Sequence, residues 1–192
     1  RSKGIEVAFF VSPVADFEIA GLGNYDDYIE QAKAILEDTG VKYYDFNLCR
    51  PEYLHLNETD YQDIDHANRK GAEKFSRVFA EFFAGNVSEE ELFYPSAAQK
   101  LADQPETVYG IMARLNDEKT AISVSSVTNF EGGEFTYDVT DMPYGDENKV
   151  LGTDTVETEW ELPKTGAGKY AIKAYYKDRL VCDALFEYGS SE

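Results

Sequence analysis

The feature that most constrains the fold is a change in the spacing of apolar residues at about residue 104. Before that point, apolar residues form short continuous runs or recur at intervals of three and four, as on one face of a helix. After it, they alternate with polar or small residues, as in half-buried antiparallel strands. Because the two patterns follow one another, we expect two domains, an α/β domain over residues 1–103 and an all-β domain over residues 104–192.

The first part of the chain predicts a β-α-β unit. Residues 5–11 form a nearly continuous apolar run that ends at Ser12-Pro13, which is typical of a strand in a parallel sheet covered on both faces. A helix is predicted from Asn24 to about Asp38, and residues 41–46 predict a second strand. Parallel strands joined by a crossover helix form such a unit.

A further helix is predicted from about Asn68 to Phe83, with one apolar stripe along it. The stripe consists of Ala72, Phe75, Phe79, Phe82 and Phe83. Ser88 and Glu91 predict the capping box of a short helix that ends near Pro95. Basic residues before Gly4 predict the end of a preceding helix, so we expect the last part of a larger parallel sheet. A small complete α/β domain is the alternative.

The second part of the chain predicts a β-sandwich. Six short strands are expected, at residues 108–113, 121–127, 135–139, 156–162, 170–176 and 180–188. Turns are expected between them, at residues 131–133, 144–146 and 166–168. The sequence from Leu162 to Gly166 spells a sortase anchoring signal, but a predicted strand follows it, so we interpret it as a turn. We expect core packing rather than sugar binding from the aromatic residues Tyr137, Trp160, Tyr170, Tyr175 and Tyr176.

Charge excludes two classes of partner. The 192 residues include 37 acidic and 18 basic side chains, which gives a formal net charge of −19. Nucleic acid and anionic membrane surfaces repel such a chain, so neither is an expected partner. Cys49 and Cys182 lie in apolar stretches and are expected to be reduced thiols. The oligomeric state stays open.

The stretch with the clearest chemical potential lies just before the helix predicted at Asn68. Asp63 and His66 stand three residues apart in a polar loop there. A carboxylate can hold one imidazole nitrogen and stabilise the protonated ring while the other nitrogen takes a proton from a serine hydroxyl. We expect the two side chains to lie within hydrogen-bond reach, at the carboxyl ends of the two predicted strands. The alternative is a structural loop with acids near the positive end of a helix.

This stretch resembles the last shared sequence block of SGNH, or GDSL-like, serine hydrolases. In that block Asp-x-x-His is followed by Leu-Asn and, in many bacterial members, by a Gly-Ala-x-x-Phe helix start. The matching residues here are Asp63, His66, Asn68, Gly71, Ala72 and Phe75. Ala67 stands where the family has leucine. The resemblance covers roughly residues 4–103.

The resemblance implies a flavodoxin-like α/β domain with a serine-hydrolase triad. Asp63 is then the triad acid and His66 the general base, with Asp65 as the lower-ranked alternative for the acid. In this family the serine and the oxyanion-hole residues precede the strand that begins here at Ile5, and none of their sequence blocks is found. Ser12 and the sequence from Gly21 to Asn24 do not match those blocks.

The implied activity is that of a serine esterase or acyl hydrolase, acting through an acyl-enzyme. Its substrate class is an acylated small molecule or carbohydrate, with deacetylase and O-acyltransferase as possible forms of the activity. No cofactor and no metal are expected. This chain alone is expected to be inactive, with the β-rich domain as an accessory module. The alternative is a non-catalytic binding or interaction protein in which the Asp-His pair is vestigial.

Two other groups of residues are less suited to chemistry. His55 precedes Asn57, but no Gly-Ala helix start follows, so it is expected to be a surface histidine. Asp60, Asp63 and Asp65 offer oxygen ligands for a hard cation, but the glycine and terminal glutamate of a calcium loop are missing. We therefore expect a solvated acidic loop rather than a metal site.

Overall fold

The computed structural model describes residues 4–118, 120–142, 147–162 and 168–189. Within these residues the chain is a mixture of helices and strands, with one small parallel sheet and two antiparallel sheets. Two compact units are present, the first ending at Pro105 and the second beginning at Glu106. No helix in the described ranges combines the length and apolar character that a membrane crossing needs.

The first unit is built around two short parallel strands. In chain order its strands and α-helices are β1 Ala8–Val11, α1 Asp16–Leu22, α2 Tyr25–Glu37, β2 Lys42–Asp45, α3 Arg69–Phe83, α4 Glu89–Leu92 and α5 Ala97–Ala102. Short 3-10 helices lie at Phe46–Leu48 and Glu58–Asp60. β1 and β2 pair in parallel, with Ala8 opposite Lys42. The predicted β-α-β unit is confirmed, and the crossover between the strands includes α2.

The ends of these elements differ from the sequence prediction. β1 begins at Ala8 rather than Ile5. α1 was not predicted, because Ile19 is its one buried residue and seven residues give little periodicity. Gly23, in the left-handed region at φ 69°, ends α1. Asn24 stands before α2, but its backbone carbonyl rather than its side chain accepts the first hydrogen bond, from the amide of Asp27.

The two faces of the small sheet carry separate buried clusters. Tyr43 and Tyr44 are neighbours in β2, so their side chains point to opposite faces. Tyr43 packs with residues of α1, α2 and α5, namely Ile19, Tyr25, Ile29 and Ala97. Tyr44 belongs to the cluster that contains Phe46 and Leu92, against which Phe75, Phe79 and Phe82 of α3 pack. Helices therefore lie on both faces of the sheet.

The aromatic stripe of α3 anchors that helix on the sheet. The ring centroids of Phe75 and Phe46 are 5.1 Å apart, and those of Phe79 and Phe10 are 4.9 Å apart. Edge-on contacts of this kind are favourable for aromatic pairs. Ala72, which the sequence placed in the stripe, is exposed instead.

β1 is less covered than β2. Phe9 and Phe10 are 50% and 43% exposed, and Ile5 and Val7 just before the strand are also exposed. β2 pairs with one edge of β1, and no other strand among the described residues pairs with the opposite edge. An apolar strand edge therefore faces solvent at this point.

The second unit consists of antiparallel strands. They are β3 Val108–Leu115, β4 Ala121–Thr128, β5 Phe135–Asp141, β6 Lys149–Thr155, β7 Glu159–Glu161, β8 Gly168–Tyr176 and β9 Arg179–Tyr188. One sheet has the order β3-β4-β7 and the other the order β6-β5-β8-β9. A single buried cluster includes side chains from both sheets, such as Ile122 and Val124 from β4 and Val139 and Ile172 from β5 and β8.

Sequence reasoning missed β6 and overextended β7. β6 has no fully buried residue, so its sequence lacks the alternation that marked the other strands. Val156, placed in a strand by the sequence, is 75% exposed and precedes β7. Gly132, at φ 76°, lies in the expected turn at 131–133. The expected turns at 144–146 and around 163–167, and the basic residues before Gly4, lie outside the described residues, apart from Gly168, which begins β8.

The aromatic and cysteine side chains largely pack as expected. Tyr137, Trp160 and Tyr170 are buried in the core of the second unit, whereas Tyr175 and Tyr176 are half-buried. Both cysteines are free thiols. Burial raises the pKa of the Cys49 thiol to about 12, so it is a packing residue rather than a nucleophile.

Candidate active site

The candidate site is a tight loop that precedes α3. Tyr61 and Ala67 form an antiparallel bridge, and the amide of Gln62 donates to the carbonyl of His66 over 2.8 Å. These contacts close the segment from Tyr61 to Ala67 into a small hairpin, which we call the 61–67 loop. Asp63 and His66 lie towards its tip, so their spacing is set by the backbone of the loop.

The side chain of Asp63 contacts both the imidazole and the backbone amide of His66. Oδ1 of Asp63 lies 2.8 Å from Nδ1 of the imidazole and accepts a hydrogen bond of 2.8 Å from the amide of His66. The predicted proximity of the two side chains is confirmed. Because a carboxylate can only accept, Nδ1 carries the proton in the neutral ring and Nε2 is left as the basic nitrogen. The imidazole is 70% exposed, so reactants can approach it.

Asp65 approaches the same ring nitrogen. Its Oδ1 lies 2.9 Å from Nδ1 of His66, in ion-pair range. The amide of Asp65 in turn donates to Oδ1 of Asp63 over 3.3 Å. Asp63 therefore organises the loop while Asp65 adds a second negative charge beside the imidazole.

These contacts shift the protonation of the pair. The hydrogen bond and charge of Asp63, followed by the charge of Asp65, raise the pKa of His66. Desolvation raises the pKa of Asp63, but hydrogen bonds from His66 and Asp65 outweigh it and leave that pKa below its ordinary value. The two acids therefore stabilise the protonated ring, which is the form that His66 takes once Nε2 has accepted a proton.

The 61–67 loop lies at the carboxyl end of the sheet. The hydroxyl of Tyr61 donates to the carbonyl of Val14 over 2.8 Å, and the amide of Ala15 donates to the carbonyl of Ile64 over 2.9 Å. Val14 and Ala15 lie three and four residues after the end of β1. The amide of Val14 also donates to Oδ1 of Asn47, which follows β2. The predicted placement at the ends of both strands is thus confirmed.

A buried polar network lies at the same end of β2 and was missed by the sequence reasoning. Oδ2 of Asp45 accepts hydrogen bonds from the hydroxyls of Tyr25 and Tyr43, and its Oδ1 accepts from the amide of Asn47. Burial raises the pKa of Asp45, although the hydrogen bonds from Tyr25, Asn47 and Tyr43 offset part of this effect. The sequence signal for this network was an Asp at the end of the strand, Asp45, and an Asn two residues later. It ties α2 to β2 and, through Asn47, to the segment after β1.

The other candidate residues are not brought to this loop. Ser12 is exposed just after β1, and Gly21 to Asn24 form the end of α1 and the start of α2. His55 is exposed, and its backbone carbonyl accepts a hydrogen bond from Lys74. A cleft of about 490 Å³ lies against β2, lined by residues such as Lys33, Tyr44 and Arg50, and contains neither Asp63 nor His66.

The acidic residues of the region divide between two settings. Asp63 and Asp65 are exposed, and with His66 they place three potential metal ligand atoms within 4.8 Å of one another. Both carboxylates already face Nδ1 of the imidazole, which accounts for the cluster without an ion. Asp60 does not join it, because its side chain is fully buried and held by lysines.

Comparisons with known proteins do not assign the chain to a family. No model of a known protein family matches it. No curated protein matches its sequence.

Proposed function

We propose that Asp63 and His66 are the acid and the general base of a serine-hydrolase triad of the SGNH type. The observation that supports this most directly is the geometry of His66. Its Nδ1 is held by a carboxylate at the carboxyl end of a parallel sheet, and the ring is exposed with Nε2 free to accept a proton.

In this proposal, His66 works with a serine hydroxyl that the present sequence does not supply. Nε2 takes the serine proton as the oxygen attacks an ester carbonyl, and Asp63 stabilises the imidazolium that forms. The imidazolium then gives the proton to the leaving alcohol. Water then attacks the acyl-enzyme carbonyl while Nε2 takes its proton, and cleavage of the acyl–serine bond releases the carboxylic acid as the imidazolium returns the proton to the serine oxygen. Substrates are acyl esters, typically acetyl esters, of a carbohydrate or other small hydroxylated molecule.

The proposal extends to the sheet that carries the candidate site. We propose that β1 is an internal strand of a larger flavodoxin-like sheet, because its open edge and exposed Phe9 and Phe10 are typical of a strand covered on both sides. Strands carrying the serine and the oxyanion hole would add to that edge. The second unit, with one core shared by two antiparallel sheets, is proposed as a sandwich-like accessory domain.

The test compares the full product of the gene with the 192-residue chain. Both are assayed on an activated acetyl ester and labelled with a fluorophosphonate, which modifies activated serines. We expect turnover and labelling in the full product, and loss of both in its His66→Ala variant. The 192-residue chain should show neither. Turnover by the 192-residue chain that His66→Ala abolishes would contradict the assignment of a missing serine.

One observation favours a second candidate, a binding or interaction protein with a vestigial pair. Within the described residues no serine hydroxyl hydrogen-bonds to His66. A full gene product that folds but neither turns over the ester nor reacts with the fluorophosphonate would support this candidate.

A further inference from the structure

The 61–67 loop rests on a buried carboxylate that the triad chemistry does not use. Asp60 is fully buried, and its Oδ2 accepts hydrogen bonds from Nζ of Lys74 at 2.6 Å and from the amide of Asn57 at 3.0 Å. Its Oδ1 lies 3.1 Å from Nζ of Lys70, in ion-pair range but accepting no hydrogen bond in the described residues. A charge buried in this way is stable only while its partners hold their geometry.

The backbone of Asp60 is joined directly to the base of the loop. Its carbonyl accepts a hydrogen bond of 2.9 Å from the amide of Asn68, the residue that caps α3. The side-chain amide of Asn68 donates to the carbonyls of Thr59 and Tyr61. The base of the 61–67 loop is thereby held to the start of α3 from both of its ends.

Gly71 allows this close approach. A Cβ atom on Gly71 would overlap with the carbonyl oxygen of Asp60, so that only glycine lets the first turn of α3 lie against this backbone. Lys74 stands one turn further along the same helix and reaches the Asp60 side chain. The helix therefore holds Asp60 both by its backbone and by an ion pair.

We propose that Asp60 and Lys74 are positioning residues that fix the 61–67 loop and so hold Asp63 against His66. Neither contacts the imidazole in the described structure. Their action passes through Asn68 and the Tyr61-Ala67 bridge to the loop tip. The catalytic meaning of this positioning rests on the proposed function, but the positioning itself can be measured without turnover.

The experiment measures the pKa of His66 by NMR from the ring signals of the 192-residue chain. Lys74→Met removes the charge that holds Asp60, and Asp60→Asn removes the buried charge with little change of shape. We expect the pKa of His66 to fall towards that of a free imidazole in both variants, because Asp63 and Asp65 no longer stay beside it. Lys74→Arg should keep the pKa of His66 at the parent value, since it leaves a cation beside Asp60.

Glu73→Gln is the matched control, because it breaks the exposed Arg69-Glu73 pair of the same helix, whose Nε–Oε1 distance is 3.0 Å. It should leave the pKa of His66 unchanged. A parent-like pKa in a folded Lys74→Met variant would overturn the proposal. If Lys74→Met does not fold, the pKa of His66 is measured in folded Asp60→Asn instead. A parent-like value there would overturn the proposal.

The same variants in the full gene product separate this proposal from the proposed function. A misplaced general base should lower kcat about 100-fold while leaving KM near the parent value. A shifted pKa of His66 in a full product without any turnover would keep the positioning role and remove the hydrolase proposal. Unchanged pKa and kcat in both variants would overturn the positioning role alone.

Discussion

Asp60 and Asp63 stand three residues apart in this chain, and each forms an ion pair in an opposite environment. Asp60 and Lys74 form a pair whose carboxylate is fully buried, and Asp63 and His66 form a pair on an exposed loop. The Asp60 carboxylate is fixed by hydrogen bonds from Lys74 and from the amide of Asn57, and its burial keeps it from reactants. The exposed pair gains little stability from its own contact, but its imidazole is open to a substrate. In the proposed function, the buried pair would supply the geometry of the loop and the exposed pair would supply the reactive imidazole.

The largest expected effect comes from changing the acid of the exposed pair. In the full gene product, Asp63→Asn should keep the fold and reduce turnover on the order of 10⁴-fold, by analogy with serine-protease triads. The Asp63 carboxylate contacts Nδ1 of His66 and also accepts hydrogen bonds from the backbone amides of Asp65 and His66. Its replacement therefore disturbs both the tautomer of the imidazole and the conformation of the loop. Asp65→Asn should have a much milder effect. Steady-state kinetics of both variants check this, and the reverse ranking would make Asp65 the triad acid.

A smaller but still clear effect is expected where α3 meets the buried pair. Gly71→Ala adds a methyl group that overlaps with the carbonyl of Asp60. We expect a loss of about 1–3 kcal/mol in the free energy of unfolding, as for other overpacked sites, although alanine favours helix more than glycine does. Urea unfolding measures it. Ser76→Ala, at an exposed position of the same helix, is the control and should stay within about 0.5 kcal/mol of the parent.

The buried pair should also govern part of the acid sensitivity of the chain. Contact with Lys74 holds the pKa of Asp60 well below its usual range. A carboxyl with a lowered folded pKa stabilises the fold above its unfolded pKa of about 3.9, and this contribution is lost as the pH falls through the folded value. Between about pH 4.5 and 2.5, the parent should therefore lose stability more steeply than Asp60→Asn.

Urea unfolding at several pH values provides the measurement for Asp60. Glu73→Gln removes an exposed acid of the same helix and should follow the parent curve closely. Parallel curves for the parent and Asp60→Asn would show that the buried carboxylate does not gain stability from its ionised form in the fold.

The two pairs differ in how far the sequence could predict them. Asp63 and His66 were recognisable because a loop with a short spacing before a helix fixes a local contact. The burial of Asp60 could not be recognised from the sequence, because it depends on the contact with Lys74, which lies in the next turn of α3. The network around Asp45 was missed for the same reason, as Tyr25 approaches it from a different helix.

The same reasoning explains the fold predictions. Strands with full alternation, such as β5 and β8, were found because their buried residues come every second position. β6 was missed because its position at an edge of the four-stranded sheet leaves its residues largely uncovered. The spacing of apolar residues along a segment indicates which of its positions are buried. Segments that are only partly buried, or that are buried by residues distant in the sequence, therefore show no clear spacing.

The smallest expected effect is the contribution of the exposed pair to stability. Asp63 and Asp65 raise the pKa of His66 in the folded chain. Such a group stabilises the fold fully below its unfolded pKa of about 6.5, and the contribution is lost as the pH rises through the folded value. The stability difference between the parent and His66→Gln should therefore be larger at pH 5.5 than at pH 8.5. Solvent screening keeps it small, because the imidazole is mostly exposed.

The control for this last prediction removes the source of the shift rather than the histidine. In a background that carries both Asp63→Asn and Asp65→Asn, His66→Gln should have the same effect on urea unfolding at pH 5.5 and pH 8.5. A pH-dependent effect that persists in this background would mean that other groups set the protonation of His66. The pKa of His66 would then not depend on Asp63 and Asp65. The exposed and the buried pair would in that case differ in burial alone.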